Sequence, residues 1–283
     1  MSPSGFFRIC RPANSLVAGL AAIVAYLIAT GTVVPAALLL FVIVALITAA
    51  GNVINDYYDV DIDMVNRQDR PIPSGTVTRG AALRFAVLLF LAGIAVSLFT
   101  TPLCIGIAVF NSLLLAGYAA RLKSTPLAGN LTVAYLAASM FLFGGALAGL
   151  PGLVRMIPIA IMTFLAMTSR ELLKDAEDVE GDAAGGASTL PIRIGVRKTA
   201  RIALVFALLA VAASVVPSFW WGVWYLAGIL VVDIIVIGSV YLSFNCDTPA
   251  CVKASGASAF LKAGMFASLI VFTLSAVFLQ GTL

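Results

Sequence analysis

The stretch "PAALLLFVIVALITAAGNVINDYYDVDID" (35–63) runs without a charged residue from Pro35 to Ala50 and then places Asp56, Asp59, Asp61 and Asp63 at its end. Residues 35–55 are predominantly apolar and uncharged, about the 20 residues that an α-helix needs to cross a bilayer. Four carboxylates crowding the end of a segment otherwise suited to lipid need a physical reason, and the rest of the chain supplies one.

The chain has 283 residues, of which 61% are hydrophobic and 11% charged, with a mean hydropathy of +1.08. Soluble domains carry roughly 25% charged residues, so this composition predicts an integral membrane protein. Nine stretches have the length and low charge of a span: 13–31, 35–55, 82–99, 102–120, 129–149, 154–172, 201–217, 220–243 and 258–280. The turn near Thr100 to Pro102 makes the third and fourth a close hairpin. With nine spans, all 17 Lys and Arg residues except Arg155 fall on the side of the N-terminus. That bias predicts a cytoplasmic N-terminus and a multi-pass protein of the cell membrane. The opening "MSPSGFFRICRPAN" has no small-residue cleavage site after a short apolar core, so the first span is expected to be retained. The net charge of +4 follows from this topology and does not suggest nucleic acid as a partner.

There is no histidine, which removes the commonest general base, the commonest zinc and haem ligand and any Ser-His-Asp triad. The cysteines are Cys10, Cys104, Cys246 and Cys251, and the C-x4-C spacing of the last two matches no familiar zinc motif. Reduced, unpaired thiols are expected on a cytoplasmic loop. Carboxylates remain, and all 13 acidic residues except Asp233 and Asp247 lie in two clusters. The first holds Asp56, Asp59, Asp61, Asp63 and Asp69; the second, "RELLKDAEDVEGD" (170–182), holds Glu171, Asp175, Glu177, Asp178, Glu180 and Asp182.

On a helix, Asp56, Asp59 and Asp63 lie within about 60° of one another, and Asp61 points away. Asp175, Asp178 and Asp182 repeat that spacing 119 residues later, and a Pro-Ile pair follows each cluster, at Pro71-Ile72 and Pro191-Ile192. Two matching carboxylate faces at one offset predict an internal repeat with equivalent helix ends on one side of the membrane. Carboxylates on one face repel one another unless a cation lies between them, and oxygen-only ligands favour Mg²⁺. Mg²⁺ is commonly held by one or two carboxylates together with substrate phosphates, so the clusters predict a phosphate or diphosphate substrate. Arg67, Arg70, Lys123 and Lys174 would meet its remaining oxygens. Simple solvated acidic loops would explain the charge but not the repeated face. A cation transporter would place its site near the bilayer midplane, and a scaffold requires no such repeat. Asp233, alone within "AGILVVDIIVIGS" (227–239), must face protein or water, and a carboxyl that is protonated or hydrogen-bonded to a neighbouring helix is favoured over a role in the cavity. Segments 64–81 and 183–200, rich in Gly, Pro, Ser and Thr, are expected to act as a mobile lid burying little apolar surface.

"NDYYDVDID" (55–63) resembles the first aspartate motif of the UbiA superfamily of intramembrane prenyltransferases, and "DAEDVEGD" (175–182) its second. "NRQDRPIPSG" (66–75), "GYAARLKSTPLAGN" (117–130) and Arg11-Pro12 are similar to its accompanying elements, so the resemblance spans nearly the whole chain. It implies an all-α membrane domain over residues 1–283, with nine transmembrane helices around a central cavity capped by cytoplasmic loops. It also implies Mg²⁺ held by Asn55, Asp56, Asp59, Asp63, Asp175, Asp178 and Asp182. Asp59, Asp63, Asp175, Asp178 and Lys123 are the residues expected to carry catalysis. Arg11, Arg67, Arg70, Tyr118, Lys123 and Lys174 are expected to bind substrate. The elements look most like those of archaeal members that transfer a geranylgeranyl group from its diphosphate to geranylgeranylglyceryl phosphate, making an ether lipid. Arg8, Arg11 and Arg170 would remain for the acceptor phosphate. An aromatic acceptor, as in quinone or chlorophyll-type synthesis, is the alternative, with prenyl diphosphate and membrane lipids as partners in either case.

Overall fold

The computed structural model describes residues 2–279, apart from the side chain of Asn66. The described residues form fourteen α-helices and one 3₁₀ turn and contain no strand. They fall into two compact units, one of residues up to Tyr26 with Val33–Leu122 and Phe143–Leu153, the other of Leu27–Thr32, Lys123–Leu142 and Val154 onward.

The first unit holds α1 (Pro3–Ile9), most of α2 (Pro12–Thr30), α3 (Ala37–Tyr58), α4 (Val60–Asn66), α5 (Arg79–Ser97) and α6 (Pro102–Ala120). The expected hairpin forms because Thr101 caps α6, its hydroxyl accepting from Cys104 N at 3.3 Å, with Pro102 in the first turn where no amide is needed. Thr78 caps α5 in the same way, accepting from Ala81 N at 3.3 Å. The apolar stripe of α3 packs on α5 and α6. Its C-terminal end sits on a cluster that includes Ile9, Val53, Ile54, Val60, Ile72, Val77, Ala81, Ala82 and Ala119. Ile72 and Val77 come from the segment expected to bury little apolar surface. Both are buried, so this stretch is anchored to the core beneath the first aspartate motif.

The second unit holds most of α7 (Ala128–Leu147), α8 (Gly149–Glu177), α9 (Val179–Ala184), α10 (Leu190–Ile194), α11 (Val196–Ser214), α12 (Ser218–Tyr241), α13 (Pro249–Ser255) and α14 (Ala257–Phe278). The span expected at 154–172 is part of α8, whose 29 residues extend about 43 Å at 1.5 Å per residue. That exceeds the roughly 30 Å of hydrocarbon, and the surplus carries Arg170 to Glu177 beyond the apolar run. A left-handed Gly222, φ 72°, breaks α12 near its start, a conformation that a side chain would disfavour.

Eight helices among the described residues are long and apolar enough to cross a membrane. The stretch expected as a further span at 201–217 begins inside α11, which starts earlier and carries Arg197, Lys198 and Arg201 in its first two turns. Composition alone therefore does not qualify it. The last expected span ended at residue 280, outside the described residues, and α14 ends at Phe278. Cys246 and Cys251, expected as reduced thiols, form a disulfide. Thr248 caps α13, turning the chain so that the two Cα atoms lie 5.4 Å apart, within reach of a bridge. Asp233 is buried, and Ser214 of α11 donates to its Oδ2 at 2.7 Å, a hydrogen bond to a neighbouring helix, one of the two arrangements expected for it.

Candidate active site

Both aspartate motifs depart from the continuous helix that their spacing predicted, and they do so at the same place. Helix α3 ends at Tyr58, Asp59 takes φ −84° and ψ 1°, and α4 starts at Val60. Helix α8 ends at Glu177, Asp178 takes φ −106° and ψ 14°, and α9 starts at Val179. Backbone hydrogen bonds run through each break, Asp59 N to Asn55 O and Asp63 N to Asp59 O in one, Asp178 N to Lys174 O and Asp182 N to Asp178 O in the other. The middle aspartate of each motif is thus the hinge between a long helix and a short one, and the face is bent without losing its hydrogen-bond ladder.

In the first unit, the carboxylates do not stand clear of cations. Asp56 Oδ1 accepts from Arg11 at 2.6 Å and from Arg70 at 3.2 Å, and Arg70 also donates to Asp63 Oδ2 at 2.5 Å. Asp56 and Asp63 are each 4% exposed. Two guanidinium groups therefore balance two desolvated carboxylates, which an unpaired pair could not tolerate at this burial. Asn55 donates through Nδ2 to Asp59 Oδ2 at 2.8 Å, spanning one helical turn. Asp61, expected off the face, is exposed, as are Arg67 and Asp69. Arg11 and Arg70, expected to meet substrate phosphate, reach the motif's own carboxylates.

In the second unit, Asp175 Oδ2 accepts from Asn130 Nδ2 at 2.8 Å, a bond from α7 to α8. Asp178 is exposed, and Lys174 and Asp182 are partly buried. Burial pushes the Asp182 carboxyl above the usual carboxylate range, and the nearby Asp178 charge acts in the same direction. Arg170 pairs with Glu171 at 2.7 Å. Lys123 lies in the 3₁₀ turn Leu122–Ser124 and is partly buried. Tyr118, near the end of α6 in the first unit, is likewise partly buried.

Two polar contacts at the motifs were not anticipated. Asn130 closes the stretch 117–130 but carries no spacing signal of its own. Asn52, one turn before Asn55, donates to Cys10 O at 3.0 Å and so ties the end of α1 to α3. An asparagine within an apolar helix is the one hint that sequence could have offered for it.

Among the described residues, no three His, Cys, Asp or Glu side chains converge as a ready-made metal cage. The donors remain compatible with Mg²⁺, because they are oxygens only and Mg²⁺ takes one or two carboxylates with the rest of its shell from water and substrate phosphate.

A family model described as the UbiA prenyltransferase family matches residues 17–278. The digeranylgeranylglyceryl phosphate synthase of Methanoregula boonei is 65% identical over 279 residues, covering 99% of this chain and 100% of that protein. That of Methanoculleus marisnigri is 58% identical, covering 98% and 100%. A solved structure of a digeranylgeranylglyceryl phosphate synthase superposes with a TM-score of 0.89 at 33% identity, over 97% of this chain and 98% of that one. A UbiA homologue from Archaeoglobus fulgidus, bound to GPP and Mg²⁺, shares the fold with a TM-score of 0.69 at 18% identity, over 93% and 99%.

Proposed function

Since the chain belongs to the UbiA prenyltransferase family, we propose that it transfers a geranylgeranyl group from geranylgeranyl diphosphate to geranylgeranylglyceryl phosphate. The C1–O bond of the allylic donor breaks with its electron pair leaving on diphosphate. The acceptor hydroxyl oxygen bonds to C1 and gives up its proton to an oxygen of the departing diphosphate, which yields the second ether bond of an archaeal-type lipid. The relatives that match this chain end to end are named for that product. The structural observation that carries the reading is the matched pair of helix breaks at Asp59 and Asp178, each presenting the middle carboxylate of a repeated motif where a long apolar helix ends.

Residues 1–283 act as one prenyltransferase domain, with both motifs serving the same donor. Asn55, Asp59 and Asp63 from the first motif and Asp175, Asp178 and Asp182 from the second would hold Mg²⁺, which supplies positive charge to neutralise the leaving diphosphate. Arg67, Lys123 and Lys174 would bind diphosphate oxygens, and Tyr118 is a further donor to that group. In this reading α11 is the ninth crossing, its basic first turns lying among headgroups where arginine and lysine are tolerated. The basic bias puts the N-terminus and both motifs on the cytoplasmic side.

The test offers purified protein geranylgeranyl diphosphate with each acceptor in turn and identifies products by mass. A digeranylgeranylglyceryl phosphate product with stoichiometric diphosphate release is expected. Prenylation of 4-hydroxybenzoate or a naphthoate, with none of the glyceryl phosphate, would overturn the acceptor assignment and leave prenyl transfer standing.

A further inference from the structure

Asp56 is the first carboxylate of its motif, and its surroundings differ from those expected of a metal ligand. We propose that it is a positioning residue: through Arg11 it fastens the α1–α2 junction to the end of α3, and through Arg70 it fastens the segment 67–78, whose guanidinium in turn holds Asp63. The inference rests on the prenyltransferase reading for what is being positioned, and on geometry for the fastening itself.

One oxygen of Asp56 accepts from both guanidiniums, at 2.6 and 3.2 Å. A divalent cation on that carboxylate would face two fixed positive charges, where one on Asp63 would face only that of Arg70, in a region with little water to screen them. The same charges make Asp56 a strong anchor, because a desolvated carboxylate keeps its partners close.

The elements that supply the arginines are built to stay put. Arg11 has φ 48°, in the left-handed region that few residues with a side chain occupy. It is held there between a bond from its own N–H to Arg8 O at 3.0 Å and the start of α2 at Pro12. A conformation of this kind persists where the surroundings over-determine it. Arg70 belongs to a folded segment, not a free arm, since Arg70 N donates to Arg67 O at 3.0 Å, Ser74 N donates to Arg70 O at 2.9 Å and Ile72 and Val77 are buried. The same segment is joined to α1 independently of Asp56, by Arg8 Nη2 to Asp69 O at 3.1 Å and Ser2 N to Thr76 O at 3.0 Å. The second motif carries a parallel: Asp175, 119 residues after Asp56, is also fastened from a different helix, by Asn130 of α7. Arg11 therefore acts on the donor through Asp56 and does not bind it independently.

The experiment uses the full chain in detergent, with Mn²⁺ titrated by electron paramagnetic resonance and the KM for geranylgeranyl diphosphate measured in parallel. The variants are Asp56→Asn, Asp59→Asn, Arg11→Gln and the Arg11→Gln/Asp56→Asn pair. Asp59→Asn is expected to weaken Mn²⁺ more than about 100-fold, whereas Asp56→Asn should cost nearer tenfold, the low end of the roughly 10- to 100-fold lost with a group that orients a ligand. Arg11→Gln and Asp56→Asn should each raise KM, with the pair no worse than Asp56→Asn alone, because both remove the same link. Equal Mn²⁺ loss at Asp56 and Asp59, or KM increases that multiply in the pair, would overturn the proposal. If Asp56→Asn does not fold, hydrogen exchange of Arg11→Gln decides: faster exchange over 67–78 and 10–15 is expected, and unchanged exchange at both refutes the fastening. Wild-type protein that binds no Mn²⁺ would count against the metal-dependent function and leave the exchange result to be read alone.

Discussion

Replacing Arg70 by methionine keeps most of the stem that packs on the protein while removing every donor. The guanidinium it deletes lies 2.5 Å from Asp63 Oδ2 and 3.2 Å from Asp56 Oδ1, and the three side chains are 16%, 6% and 5% exposed. Breaking a buried pair by removing one partner costs about 3–5 kcal/mol, chiefly because a desolvated charge is left unmatched. Asp56 retains Arg11 and Arg70 is not wholly dry, so the lower end applies, about 3 kcal/mol. That is on the order of a 100-fold shift in the folded-to-unfolded ratio. The assay is equilibrium unfolding of the detergent-purified protein in increasing SDS mole fraction, followed by far-UV circular dichroism. Asp61→Asn, at an exposed carboxylate, is the control and should stay within about 0.5 kcal/mol of wild type. Adding Asp63→Asn to Arg70→Met should recover part of the loss, because the unmatched charge is then gone. An Arg70→Met variant within about 1 kcal/mol of wild type would refute the reasoning, since it would mean these pairs are screened as surface pairs are.

Asp59→Ala and Asp178→Ala should each abolish turnover while the protein still elutes as a folded species, and Asp61→Ala should be mild; comparable losses at Asp61 and Asp59 in a product-release assay would contradict the hinge assignment. Alkylation followed by intact mass should add two more labels after reduction than before it, reporting the Cys246–Cys251 bridge, and identical labelling would exclude that bridge. Ser214→Ala should destabilise the protein by about 1 kcal/mol in the same SDS titration, the scale of a hydrogen bond between membrane helices, by removing the hydroxyl beside Asp233.

The membrane class, the hairpin at Thr100 to Pro102 and the two aspartate motifs were legible without coordinates, because lipid exposure, proline geometry and helical spacing act locally along the chain. Legible too was the need for Asp233 to find a partner, although not that Ser214 stands beside it. Four matters were decided by tertiary structure. The basic bias suggested reduced thiols on a cytoplasmic loop, yet capping of α13 by Thr248 brings Cys246 and Cys251 within bonding distance. Helical periodicity treats Asp56, Asp59 and Asp63 as one face, whereas the chain bends at Asp59, a change in two dihedral angles that periodicity does not encode. A segment rich in Gly, Pro and Ser read as a mobile lid, but Ile72 and Val77 fasten it to the core. Finally, arginine suits phosphate and carboxylate equally, so the sequence did not reveal that Arg11 and Arg70 both reach Asp56. Which anion a guanidinium meets depends on the position of residues 45 and 14 places away in the chain, and only the folded backbone sets that distance.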